Sequence, residues 1–141
     1  MATATDRLLE CIIVTPERAV LDEKTAFVAL PMYDGELGVL PGRAPLIGRL
    51  GFGELRIGQG DAARRFYVDG GFAQVRNNIV TILTPRALKA EDIKPDVVTE
   101  ALQAAQAPAP TPQGQDARLK DQERARAQLR VARRGGAEER F

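Results

Sequence analysis

Short apolar runs broken by turn-forming residues occupy the first two thirds of the chain, and a longer-period pattern takes over after Leu83. Leu8 to Val14 is nearly continuous apolar sequence, rich in branched residues and ended by Thr15-Pro16-Glu17, which predicts a strand covered on both faces. Val20-Leu21 begins a second strand, and Ala26 to Leu30 a third that Pro31 stops. Tyr33 to Gly38 reads as a turn before the short Val39-Leu40, closed by Pro41-Gly42. Leu46 to Leu50 follows, then Glu54 to Ile57, where the alternation turns Leu55 and Ile57 inward and Glu54 and Arg56 to water. Gly58-Gln59-Gly60-Asp61 signals a hairpin into Arg65 to Val68, with Phe66 and Val68 inward. Asp69-Gly70-Gly71 then marks another turn, Phe72 to Val75 another strand, and Asn77-Asn78 a turn into Ile79 to Leu83. This spacing predicts a β-sandwich or barrel, with a core drawn from Ile12, Val14, Phe27, Val28, Leu46, Leu50, Leu55, Phe66, Val68, Phe72, Ile79 and Ile82.

Beyond Leu83 the period lengthens. Val98, Ala101, Leu102 and Ala105 form one apolar helical stripe, with Pro95 in the first turn, Asp92 as a cap and an end near Gln106. Residues 107–115 (APAPTPQGQ) carry three prolines and a glycine and predict a linker. Asp116 to Arg134 reads as a second helix stopped at Gly135-Gly136, with Arg130, Arg133 and Arg134 in its last turns, as the helix dipole favours. Burying Val98 and Leu102 contributes about 1.5–3 kcal/mol each, so the first helix gains on the order of 5 kcal/mol gross. Ordering each residue costs about 1–2 kcal/mol, so the hairpin is marginal alone. It must dock against something or move.

Composition narrows the chemistry. The 141 residues include no histidine, tryptophan or serine and a single cysteine, Cys11. Ser-His-Asp and Cys-His catalysis are therefore excluded, and neither a disulfide framework nor a thiolate metal cluster can form within one chain. A reducing compartment is expected, with Cys11 packed as a small hydrophobe. Twenty basic against nineteen acidic residues leave a net charge of +1, so any charge argument is local. Apolar runs fall far short of the roughly 20 residues that span a bilayer, and no export signal is visible.

The candidate motifs are few. Gly58-Gln59-Gly60-Asp61-Ala62-Ala63 matches G-x-G-x-x-A, but dinucleotide binding needs a strand before and a helix after, whereas strands flank it here; it reads as a turn. No Walker loop exists. Asp34 and Glu36 form a carboxylate pair beside glycines, where solvated acids are the ordinary outcome. The second helix holds the strongest charge signal: residues 116–134 carry seven basic and three acidic side chains, a net of +4. No aromatic residue interleaves these arginines to stack on bases, which favours an acidic protein partner over nucleic acid.

The stretch Asp34-Gly35-Glu36-Leu37-Gly38-Val39-Leu40-Pro41-Gly42-Arg43-Ala44-Pro45-Leu46 strongly resembles the epsilon subunits of F-type ATP synthases, whose pattern is G-E-x-G-x-x-P-G-H-A-P-L. The likeness continues, in the family's order and spacing, through Gly53 to Ile57, Asp69 to Val75 and Asn78 to Leu83. Val14 to Glu17 and Ala127-Gln128-Leu129-Arg130-Val131 are also similar to family segments.

The resemblance implies a mainly β fold with α: an N-terminal ten-stranded β-sandwich followed by a C-terminal two-helix hairpin. It divides the chain into a stalk- and c-ring-binding sandwich over residues 1–88 and a regulatory hairpin over 89–141 that contains the linker 107–115. It implies a non-catalytic rotor subunit that couples proton transport to ATP synthesis and inhibits ATP hydrolysis through its helices, with no catalytic, cofactor or metal site. Its implied partners are the gamma subunit and c-ring, contacted through Glu36, Pro41, Gly42, Arg43 and Ala44. The alpha and beta catalytic subunits would be met by Arg118, Arg124, Arg126, Arg130 and Arg133. No nucleic acid is expected, and the membrane is reached only through the complex. The family's helices move between a compact state beside the sandwich and an extended state among the catalytic subunits. The short lead before the first strand fits the cytoplasmic face of a bacterial plasma membrane.

Two departures stand out. Arg43 replaces the family's usual histidine, which fixes a positive charge there. Ile93-Lys94-Pro95-Asp96-Val97-Val98 stands where some bacterial members carry the ATP-sensing I/L-D-x-x-R-A motif, with Lys94 for the acid and Val97 for the arginine, so no ATP binding is expected. The alternative, from another class, is a stand-alone β-sandwich protein-binding module with a basic tail. An enzyme would need a deep pocket converging on Asp34 or Glu36.

Overall fold

A computed structural model describes residues 8–137; the expected domain limits at residues 1 and 141 lie outside them. The strands are β1 (Leu9–Val14), β2 (Ala19–Thr25), β3 (Val28–Met32), β4 (Gly35–Val39), β5 (Leu46–Ile57), β6 (Arg64–Arg76), β7 (Ile79–Leu83) and β8 (Ala87–Lys89). The helices α1 (Pro95–Ala105) and α2 (Pro112–Ala137) follow, with 3-10 turns at Gly60–Ala62 and Ala90–Asp92. The strand order is β2-β1-β7-β6-β5-β3-β4, with β8 on β6. All pairs are antiparallel except β1 with β7.

Eight strands stand where ten were expected. Leu46–Leu50 and Glu54–Ile57 are halves of one 12-residue strand, and Arg65–Val68 and Phe72–Val75 are halves of one 13-residue strand. The first half of β5 pairs with the second half of β6, which continues to β7; the second half of β5 lies against β3, and the first half of β6 against β8. Each long strand therefore serves both layers of the sandwich. The ladder skips Gly51 and Gly70, and Gly70 and Gly71 have φ of +76° and +104°. Asp69-Gly70-Gly71, expected as a turn, is a bend inside β6, because glycine there re-aims the strand without ending its pairing. Asn77 and Asn78, with φ of +52° and +64°, do make the tight β6–β7 turn.

Leu55, Ile57, Phe66 and Val68 enter the sandwich core as their alternation predicts, joined by Leu9, Cys11, Ile13, Val28, Leu30, Val39, Val75, Val80 and Ile82. β1 alternates instead of being covered on both faces: Leu9, Cys11 and Ile13 are buried, and Ile12 and Val14 are half-buried. Phe27 and Leu46 are likewise only half-buried, and Phe72 and Ile79 are exposed. For Ile12, Val14, Phe72 and Ile79 the cause is the same: each takes the outward step of a strand beside a buried neighbour in sequence, so period-2 alternation sends it to the surface. Phe27 lies in the β2–β3 connection, and Leu46 packs at the margin of the core.

Elsewhere the outer surface is covered. Phe66, Tyr67 and Val68 are all buried, because Tyr67 points away from the sandwich core into a second cluster with Ala90, Ile93, Val98, Ala125, Ala127 and Val131. α1 opens with Pro95 at its first turn, Lys94 rather than Asp92 occupies the N-cap, and the helix closes at Gln106. Val98 and Ala105 of its stripe are buried, whereas Ala101 is exposed. α2 begins at Pro112 rather than Asp116, which shortens the linker to residues 106–111. Thr111 is the reason: its Oγ1 accepts from the Gly114 N–H at 2.9 Å, and proline at the following position is preset for a helix start. α2 also runs through Gly135-Gly136, where helical glycine costs about 1 kcal/mol per residue without forbidding the turn. Arg118 Nη1 donates to the Ala104 carbonyl and Gln122 Nε2 to the Ala105 carbonyl, so α2 caps the end of α1.

Candidate functional site

Polar groups flank the apolar seam between α2 and the sandwich. The Tyr67 hydroxyl donates to Asp69 Oδ1 at 3.2 Å, and Arg124 Nε donates to the same oxygen at 2.9 Å. Arg124 also lies 4.8 Å from the centre of the Phe52 ring and donates to Asp121 Oδ1 at 3.2 Å. Burial, reinforced by the Asp69 charge, holds the Tyr67 phenol well above its ordinary range. Burial alone would lower the Arg124 value, but Asp69 outweighs it and keeps the guanidinium charged. Farther along α2, Arg134 Nη1 reaches Glu54 Oε2 at 3.3 Å. Glu54, expected to face water, has a side chain only 8% exposed, between Arg56 at 3.7 Å and Arg65 at 3.5 Å.

Beyond the bend, the outer surface of β5, β6 and β7 carries exposed apolar side chains, with Phe72 bordering a pocket shared with Glu123 and Arg130 of α2. Ile47 (74% exposed), Phe72 (52%) and Leu83 (51%) stand on neighbouring strands, with Phe72 in register between Arg49 and Leu83. Arg49 stacks 4.5 Å from the centre of the exposed Tyr33 ring. Sequence reasoning missed this face by placing Phe72 in the core. The signal lay in its step: Phe72 shares a face with Gln74 and Arg76, and Ile47 with Arg49, while Ala73 and Val75 are buried.

The expected partner-contact residues occupy two places. Glu36 lies on β4, not in a turn, and accepts from Arg56 Nη2 at 3.5 Å. Gly42, Arg43 and Ala44 are exposed on the loop 40–45, with Pro41 half-buried. The Gly42 N–H donates to Asn78 Oδ1 at 2.8 Å, which ties this loop to the β6–β7 turn rather than to Glu36. Of the arginines expected to meet catalytic subunits, Arg118 caps α1 and Arg124 holds Asp69, whereas Arg126, Arg130 and Arg133 are exposed at i, i+4 and i+7, one side of α2.

A cleft of about 730 Å³ separates the helices, lined by Lys94 and Val97 together with Arg86, Arg118 and Arg124. Lys94 and Val97, at the two motif positions singled out in the sequence, both line this cleft, and Arg118 and Arg124 are engaged within the protein. Asp34 and Glu36 do not line this cleft, and the Gly58–Ala63 loop runs from β5 into β6 with no helix to receive a pyrophosphate. Among the described residues no group of three or more His, Cys, Asp or Glu is placed to hold a metal, and no helix is long and apolar enough to cross a membrane.

The fold is a bent sandwich with helices strapped to its outer surface by ion pairs and apolar packing, and with apolar side chains left exposed beyond them. The family model for the ATP synthase delta/epsilon chain β-sandwich domain matches residues 8–90. The ATP synthase epsilon chain of Rhodopirellula baltica is 49% identical over 128 residues, covering 89% of this chain and 98% of the relative. A chain in the mitochondrial ATP synthase of Euglena gracilis, solved with its F1 and c-ring parts, superimposes with a TM-score of 0.73 at 26% identity, covering 86% of this chain and 81% of that one. A chain of the Tetrahymena thermophila central stalk and c-ring shares the fold alone, at 15% identity and a TM-score of 0.68 over 88% of this chain and 96% of that one. The chain belongs to the ATP synthase epsilon chains, which are accessory rather than catalytic subunits of their complex.

Proposed function

We propose that this chain is a non-catalytic rotor subunit of an F-type ATP synthase that couples proton transport to ATP synthesis and restrains hydrolysis through its C-terminal helices. The observation that carries the reading is the division of the outer surface: apolar Ile47, Phe72 and Leu83 are exposed on one stretch of β5–β7, and an arginine-bearing helix covers Tyr67 and its neighbours on another. A patch of that kind marks a protein interface. In this reading residues 1–88 seat the chain on the central stalk, with Pro41, Gly42, Arg43 and Ala44 near gamma and Glu36 toward the c-ring. Residues 89–141 are the regulatory unit, and Arg118, Arg124, Arg126, Arg130 and Arg133 meet the alpha and beta subunits. Arg124 becomes available only when α2 leaves the sandwich, and Arg118 only when α2 also parts from the end of α1, since Arg124 holds Asp69 and Arg118 the Ala104 carbonyl in the docked state. The complex would hold the chain at the cytoplasmic face of a bacterial plasma membrane, peripheral to the bilayer.

Truncation after Ala90 in the reconstituted complex tests both parts. Stalk binding should survive and ATP hydrolysis should rise. Unchanged hydrolysis would remove the inhibitory role, and lost binding would remove the sandwich as the seat. A difference that vanishes at high salt would identify the inhibitory contact as charge-based.

A further inference from the structure

Two sandwich carboxylates touch α2, and their surroundings differ. Glu54 lies between two guanidiniums of its own sheet, Arg56 and Arg65, before the helix arrives. Arg134 is therefore a third cation on an already neutralised group, and it is itself 57% exposed, so water and salt replace it easily. Asp69 has no such company among the described residues: its partners are the Tyr67 hydroxyl and Arg124, and its side chain is 19% exposed. When α2 lifts, Glu54 keeps its cations and Asp69 loses the one it has. The rest of the seam on the α2 side is apolar and modest: Ala125, Ala127 and Val131 are buried, with Leu129 and Ala132 partly buried against them. With three alanines among these five residues the apolar contact is limited, so one well-placed ion pair can decide the balance.

We infer that Asp69 is the latch that holds α2 on the sandwich, through Arg124, and that the Glu54–Arg134 pair is not. Arg124 aligned over Phe52 and bonded to Asp69 cannot also serve an acidic partner, so Asp69 competes directly with any carboxylate-rich surface that recruits the helix. This step rests on the reading that α2 exchanges partners; the latch itself is tested on the isolated full-length chain, where failure leaves the rotor assignment untouched.

Hydrogen exchange of α2 backbone amides at residues 122–134 is compared in the full-length chain, Asp69→Asn and Glu54→Gln. Asp69→Asn should accelerate exchange in that segment at least tenfold while Leu55, Phe66 and Ile82 in the sandwich keep their protection. Glu54→Gln should change it less than threefold. Arg124→Gln should match Asp69→Asn, and the double variant should be no faster than either single one. Unchanged protection in Asp69→Asn, equal loosening by Glu54→Gln, or additive effects in the double variant would each overturn the latch.

Discussion

Glu54 and Tyr67 stand directly opposite one another across the β5–β6 ladder, and α2 covers both. That relationship separates two kinds of buried aromatic on neighbouring positions. Phe66→Ala opens a cavity in the sandwich core and should lower global stability by about 3–5 kcal/mol in urea titration. Tyr67→Ala should act chiefly on the helix seam, speeding α2 amide exchange far more than it shifts the sandwich transition. Equal effects of the two changes would mean that the seam and the core unfold as one unit.

Backbone geometry makes Gly71 irreplaceable where Gly42 is not. A Cβ at Gly71 would stand 2.0 Å from the Leu83 carbonyl oxygen, and φ there is +104°. Gly71→Ala should cost more than about 3 kcal/mol by forcing β6 away from β7. Gly42 has φ of +87° with nothing near its Cβ position, so Gly42→Ala should cost only about 1–2 kcal/mol. Urea midpoints of the two variants check the contrast.

Cys11 is fully buried, and desolvation, aided by Glu23 and Asp22, pushes its thiol up to about 12. At pH 8 the thiolate fraction is then about one in ten thousand. The native protein should resist iodoacetamide at that pH and react promptly in denaturant. Rapid native labelling would contradict the packing of β1.

On the outer surface of β1 and β2, Glu10 is held above its ordinary value of 4.5 by its hydrogen bond to Asp22 and by that residue's charge. A raised acid binds its proton more tightly in the folded state, so its favourable contribution is complete at low pH and lost as pH rises through the folded value. Glu10→Gln should therefore raise Tm at pH 7, and the gain should shrink as pH falls through the raised folded value and be gone below about 4.5. A gain independent of pH would point to packing instead of charge.

Calorimetry of the isolated chain with Mg-ATP should show no saturable binding below millimolar concentration, because Lys94 and Val97 replace the acid and the arginine of the I/L-D-x-x-R-A pattern. Saturable heat in that range would show that Arg86 and its neighbours suffice.

The turns at Gly58–Asp61 and Asn77-Asn78, the inward phase of Leu55, Ile57, Phe66 and Val68, the helix start at Pro95 and the break near Gln106 were legible in the order of residues, because each depends on neighbours within a few positions. The familial run from Asp34 to Leu46 was legible for the same reason. The positions of Phe72 and Ile79 were not, since whether an alternating strand hides or shows its second face depends on what lies across it.

Local pattern fixes where strands and helices can form, and composition alone excluded histidine- and serine-based catalysis. Only the tertiary structure decided that four expected strand segments fuse into β5 and β6, that α2 lies over Tyr67, and that Arg124 meets a carboxylate 55 residues away. Those outcomes rest on long-range packing: glycines bend the strands without ending their ladders, and side chains distant in sequence compete for the same buried surface.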